Sequence, residues 1–230
     1  MPLSTRLSPV CFTALLTAGA LVLSACTTET PSAVSTDNGA EPVISRLVGH
    51  YSNLDQYKAA PDAHKIAPEI GSDAPWIDLQ YAVFKRVNVP SVPGDVIALE
   101  WRSGAKTGPI SRQRLWAFRA SDAGLVMDFY TLTSEIEFSS AEAFLGLQLD
   151  DLISYGNACA LPVHAVDGGF AMAIPETCQI VSRSGRDMTL SAQISIGDTL
   201  TYQESGRFPN GDLVFQVPGI GPYQFTRLTE

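Results

Sequence analysis

The chain has 230 residues, with 15 Lys and Arg against 24 Asp and Glu, for a formal net charge of −9. That balance argues against nucleic acid as a partner, because phosphate contacts need clustered Lys and Arg, and against electrostatic adsorption to anionic lipid heads. The three histidines, His50, His64 and His164, stand at no ligand spacing with the four cysteines.

In chain order, Arg6 leads into the apolar stretch VCFTALLTAGALVLSAC, too short and too near the N-terminus for an ordinary spanning helix. It ends in Leu23-Ser24-Ala25-Cys26, similar to the bacterial lipobox. Residues 1–25 are therefore expected to be a lipoprotein signal peptide, with Cys26 carrying the acyl chains, palmitate among them; a plain secretory signal is the other reading. Thr27, rather than Asp, follows Cys26, which points to the periplasmic face of the outer membrane. Residues 26–42 hold almost no large apolar side chain and read as a flexible tether.

The domain is expected over 43–230. VISRLVGHY sets Val43, Ile44, Leu47 and Val48 at helical spacing, which predicts a short helix. From Trp76 the period falls to two: WIDLQYAVF alternates Ile77, Leu79, Tyr81 and Val83 with Trp76, Asp78, Gln80 and Ala82. DVIALEW, ISRQRLWAF and GLVMDFYTL follow as further strands. In ISRQRLWAF, Arg112, Arg114, Trp116 and Phe118 share one face, and Gln113, Leu115 and Ala117 the other. If the first face meets solvent, its aromatics are misplaced; if it points inward, its charges need acidic partners or an anionic ligand. A hairpin of DVIALEW with ISRQRLW brings Glu100 opposite residues 112–114, where it can satisfy one arginine but not fully two. Asp128 reads as a solvated or paired strand acid.

SSAEAFLGLQLDDLISY carries Ala141, Phe144, Leu145, Leu149 and Leu152 near a helical stripe, with Ser139 or Ser140 as its cap. Seven short stretches follow: ALPVHAV, GFAMAIP, CQIVSR, DMTLSAQIS, TLTYQES, DLVFQV and YQFTRL, punctuated by DGG, SGR, IGD, PNGD and GIGP. Strands this short with turns this regular predict a mainly β fold, an antiparallel up-and-down barrel with one or two accessory helices, or else a sandwich. The common hydrolase, phosphate-binding, zinc and dinucleotide signatures are absent. With Cys11 in the signal and Cys26 lipidated, Cys159 and Cys178 remain as a pair. In an oxidising compartment a disulfide between them would stabilise by ~3 kcal/mol; two free thiols or two metal ligands are the alternatives.

Several stretches, in order, resemble the CpcT/CpeT family of phycobiliprotein chromophore lyases: GHYSNLDQ, the strand ending in EW, SRQRLWAF, MDFYTL, GNACALPV, ETCQIV, GRFPNGDLVF and GPYQFTR, together spanning 45–228. The resemblance implies a lipocalin-like (calycin-type) barrel that tends to homodimerise. It also implies a cavity for an open-chain tetrapyrrole such as phycocyanobilin, and a lyase activity that joins this bilin to a cysteine of an acceptor protein. No permanently bound cofactor is implied. Carried over by position, Tyr51, Ser52, Asn53 and Gln56 match the N-terminal motif, Glu100 the strand acid, Arg112 and Arg114 the paired arginines, Tyr130 the next strand's aromatic, and Cys159 and Cys178 the late cysteines. Arg112 and Arg114 beside Trp116 and Phe118 would complement a bilin's two propionates and its conjugated face. For Tyr51, Trp101, Trp116 and Tyr130 the competing reading is packing in the core. Trp101 stands where the family usually has glutamine, and Cys26 directs this chain to the envelope, whereas phycobiliproteins are cytoplasmic. The alternative function is therefore a non-enzymatic, lipid-anchored barrel for another hydrophobic carboxylate.

Overall fold

The computed structural model describes residues 39–66, 72, 74–182 and 185–229. The signal peptide read over 1–25, the lipidation site Cys26 and the tether up to residue 38 lie outside the described residues. The elements are α1 (Glu41–Leu47), β1 (Gly49–Ser52), α2 (Leu54–Ala59), β2 (Gln80–Val87), β3 (Asp95–Ser103), β4 (Ile110–Ser121), β5 (Gly124–Leu132), α3 (Ala141–Leu145) and β6 (Leu152–Ser154). They continue with β7 (Leu161–Val166), β8 (Gly169–Ala173), β9 (Gln179–Val181), β10 (Asp187–Ile196), β11 (Thr199–Arg207), β12 (Leu213–Val217) and β13 (Tyr223–Arg227).

β1, β2, β3, β4, β5, β7, β8, β10, β11 and β13 follow one another around a ring, and β13 pairs back onto β1 with Tyr51 opposite Arg227. The result is the closed antiparallel barrel that the turn spacing predicts, consistent with a lipocalin or calycin architecture. Closure hides backbone edges that an open sheet would expose. β6 lies beside β5, β9 beside β10 and β12 beside β11.

Strict alternation builds the lumen. In β10, Met188, Leu190, Ala192, Ile194 and Ile196 are buried, and in β11 Leu200, Tyr202, Glu204 and Gly206 are. They meet Ile97, Leu99 and Trp101 of β3, Trp116 and Phe118 of β4, and Tyr223 and Phe225 of β13. Helix α1 closes one end. Proline in its first turn suits the fixed φ of that position, and Glu41 and Arg46 sit at the ends the helix dipole favours. Its Val43, Ile44 and Leu47 join the lumen cluster, while the Arg46 guanidinium donates to the Gly168 carbonyl in the β7–β8 turn at 3.2 Å. A second apolar cluster lies outside the wall, where Val96, Ala98, Leu115, Ala117 and Tyr130 are covered by Val89, Val92, Phe144, Leu147 and Leu152. No helix among the described residues is long and apolar enough to cross a membrane.

Three local expectations are corrected. The helix read through 43–51 stops at Leu47, and Gly49–Ser52 pairs as a strand. β2 begins at Gln80 rather than Trp76 and turns Ala82 and Phe84 inward, so Tyr81 and Val83 face outside. The stripe over 139–155 breaks after Leu145. The Ser140 hydroxyl caps α3 by accepting from the Ala143 amide at 3.2 Å, and Gly146, costly inside a helix, ends it. Leu145 and Leu149 are consequently exposed, while Phe144, Leu147 and Leu152 are buried.

Candidate functional site: an arginine pair at the barrel mouth

β4 and β11 lie five places apart in either direction around the ring, on opposite walls. The inward face of β4 presents Arg112, Arg114, Trp116 and Phe118, and that of β11 presents Tyr202 and Glu204. Their side chains meet across the lumen. Arg112 Nη1 donates to Glu204 Oε2 at 2.7 Å and to the Tyr202 hydroxyl oxygen at 2.6 Å. Arg114 Nη1 and Nη2 donate to both oxygens of the same carboxylate at 3.1–3.3 Å. The Tyr202 hydroxyl also donates to Glu204. Below them Trp116 stacks on Tyr202 with centroids 6.4 Å apart, and the Arg112 guanidinium lies 4.8 Å from the Trp101 ring.

Burial pushes the Glu204 carboxyl up, but the two guanidiniums and the Tyr202 hydroxyl outweigh it and hold its pKa at about 2. Burial pushes the Tyr202 phenol up to about 12. Burial also works against the Arg114 cation, yet the adjoining Glu204 carboxylate more than compensates and raises its pKa. At neutral pH the cluster therefore holds two cations, one anion and a neutral phenol. One positive charge is left over in a mostly buried place.

That surplus has one way out. The Arg112 and Arg114 side chains are 16% and 17% exposed, and they reach solvent in a groove of about 410 Å³ whose lining includes Ser111, Thr131, Leu132, Thr133 and Glu135. On the lumen side, the void between Arg114, Phe129, Ile194 and Glu204 measures about 10 Å³, room for roughly one water. The interior expected to hold a tetrapyrrole is thus packed with side chains, and the volume open to the arginine pair lies at the mouth.

The remaining expected site residues scatter. Glu100 does pair with β4, but its register partner is Gln113, flanked by the pairs Leu99–Arg114 and Trp101–Arg112. Glu100 therefore lies on the outer face and cannot serve the arginines. It accepts from Arg102 Nε and Gln113 Nε2, both at 2.7 Å, and borders an outer groove with Tyr81, Val83 and Lys106. Tyr130 also faces outward, in the cluster beneath Phe144; burial raises its phenol. Asn53 is fully buried, donating to the Asp78 carbonyl at 2.8 Å and accepting from the Gln80 amide at 2.7 Å. Gln56 donates to the Pro222 carbonyl and accepts from the Gln224 amide. The GHYSNLDQ motif thus clamps β1 and α2 onto β2 and β13. Tyr51 donates to the carbonyls of Arg46 and Leu47 and packs on Phe84. Asp128 is ion-paired with Arg119. Cys159 and Cys178 are joined in a disulfide, and no cluster of three or more His, Cys, Asp or Glu among the described residues is placed to hold a metal.

Glu204 and Tyr202 are the site residues that the sequence reading missed. The available signal was the alternation in TLTYQES, which puts Glu204 in phase with Leu200 and Tyr202 on a face that otherwise reads as core.

No family model matches this chain. No curated protein matches it either. Its fold is similar to that of the selenomethionine form of the CRL protein of Arabidopsis, with a TM-score of 0.59 and 14% identity over 83% of this chain and 98% of that one. At that identity the likeness shows a shared barrel fold.

Proposed function

We propose that the chain is a lipid-anchored barrel that binds an anionic, flat, largely apolar small molecule at its mouth, an open-chain tetrapyrrole of the phycocyanobilin kind. The observation that supports this most is that two guanidiniums share a single carboxylate and turn toward a groove of about 410 Å³. A propionate entering the groove takes up the uncompensated charge through charge-assisted, two-pronged hydrogen bonds. Ile110 and Leu132 provide apolar contact for the ligand's body. The resemblance to CpcT/CpeT lyases supplies the ligand class and the further step, delivery of the bilin to a cysteine of an acceptor protein. On this reading Cys26 holds the barrel, alone or as a homodimer, to the periplasmic face of the outer membrane.

Titration of the purified domain with phycocyanobilin, followed by its visible spectrum, tests the reading. Saturable binding is expected, weakened roughly tenfold or more in Arg112→Gln, the scale of one lost hydrogen bond to a charged group. Glu135→Gln, which removes an exposed carboxylate from the rim, should tighten binding modestly. A spectrum unchanged by the protein, or binding indifferent to Arg112→Gln, contradicts it. Covalent adduct formation with an acceptor apo-protein is the separate test of the lyase step.

A further inference from the structure

The outer face of the barrel carries a groove of its own, of about 410 Å³, over β1, β2 and β3. That volume falls within the roughly 300–1,000 Å³ of small-molecule sites. Its floor is a row of side chains running across neighbouring strands. The Leu228 amide, just past β13, donates to the His50 carbonyl at 2.8 Å, His50 is paired with Val83, and Val83 with Glu100. In the next row Tyr81 is paired with Arg102. From β13 to β3 the row crosses three inter-strand steps, about 14 Å. Val83, Tyr81 and Leu228 are each half-buried, so their apolar surface stays partly open to solvent.

The two ends of this track differ. At the β13 end stands Leu228. At the β3 end the Glu100 carboxylate is taken up by Arg102 and Gln113, so the Glu100–Arg102 pair contributes no net charge. Arg102 Nη1 also donates to the Gly108 carbonyl at 2.9 Å, and the Gly104 amide donates to the Leu79 carbonyl at 2.8 Å. These bonds brace the β3–β4 loop, residues 104–109, and hold Lys106 at the rim of the groove. Among the described residues Lys106 has no carboxylate at ion-pairing distance, and the Tyr81 hydroxyl has no hydrogen-bond partner. The apolar track therefore ends at two open donors, one of them cationic.

We propose that this groove is a second ligand site, independent of the mouth, for a single-chain amphiphile with one carboxylate, a fatty acid of medium length. The carboxylate accepts from Lys106 Nζ and the Tyr81 hydroxyl, and the alkyl chain crosses β2 and β1 over Val83 toward Leu228. The charge-assisted bond orients the head group, and methylenes leaving water along the track supply the remaining affinity. A bilin does not suit this groove, because it brings two propionates and meets one unpaired cation.

Isothermal titration of the purified protein with laurate, below its micelle concentration and without detergent, tests the site. Saturable binding of one laurate is expected. It should be at least ~10-fold weaker in Lys106→Gln, the scale of one lost hydrogen bond to a charged group, and recovered in Lys106→Arg. Hexanoate should bind at least ~10-fold more weakly than laurate, since its shorter tail covers less of the track. Arg112→Gln should leave laurate affinity unchanged. Absence of saturable binding, indifference to Lys106→Gln, or equal affinity for the two acids overturns the site. Laurate affinity lost in Arg112→Gln would place the fatty acid at the mouth and overturn it as well. None of these outcomes decides whether phycocyanobilin binds at the mouth, which its own titration reads.

Discussion

Glu204 stands between two guanidiniums with its side chain 5% exposed. Glu204→Gln leaves both cations without a counter-charge in a poorly solvated place, and breaking a buried ion pair in this way costs about 3–5 kcal/mol. Urea unfolding should register that loss. Arg112→Gln should cost much less, because it leaves Arg114 and Glu204 as a neutral pair, which makes it the cleaner probe of ligand binding. The pH dependence follows from the same cluster. The Glu204 carboxyl is held at about 2 against an ordinary 4.5, so its stabilisation is complete above about pH 4.5 and is lost as pH falls toward 2. Melting followed by circular dichroism should show this acid limb, flattened in Glu204→Gln. Tyr202, raised to about 12 from 10, adds a loss of stability as pH rises from about 10 toward 12. That Arg112 and Arg114 share a face with Trp116 and Phe118 was legible from strand parity; that this face points inward was not settled by parity. Their counter-ion was not legible either, because Glu204 lies 92 residues from Arg112 and only ring closure brings it opposite.

At the scale of elements, the strands were legible wherever turn residues punctuated an alternating run, as in the seven C-terminal stretches that became β7 to β13. The misreadings have local causes. Gly146 cut short a stripe that hydrophobic spacing alone extended, and Tyr81 and Val83 drew the strand's core face onto the wrong side because Gln80 is buried. Gln80 tolerates the inside because Asp78, Ser103 and Ser111 satisfy its amide. Pairing of one segment with two partial strands, as β5 has with β6 and β7, leaves no trace in residue periodicity. Two variants probe these joints. A Cβ on Gly169 would lie 1.9 Å from the Ile196 carbonyl oxygen, so Gly169→Ala should force β8 off β10 and lower the melting temperature; an unchanged melting temperature would mean the strands are not that close. Replacing both Cys159 and Cys178 by alanine should cost about 2–4 kcal/mol by urea unfolding, since the disulfide joins residues 19 apart and restricts the unfolded chain.

For the whole molecule, the barrel is closed at one end by α1, filled along its length by aromatic and aliphatic side chains, and polar at the other end, where a buried surplus positive charge faces a groove in a chain of net charge −9. Charge surplus and free volume coincide there, whereas the outer groove beside Glu100 already has its arginine paired. A crystal structure of the domain with phycocyanobilin locates the ligand directly. It should place a propionate oxygen about 3 Å from the Arg112 or Arg114 guanidinium; a bilin seated in the outer groove beside Tyr81 and Lys106, with the arginine pair untouched, would contradict the assignment.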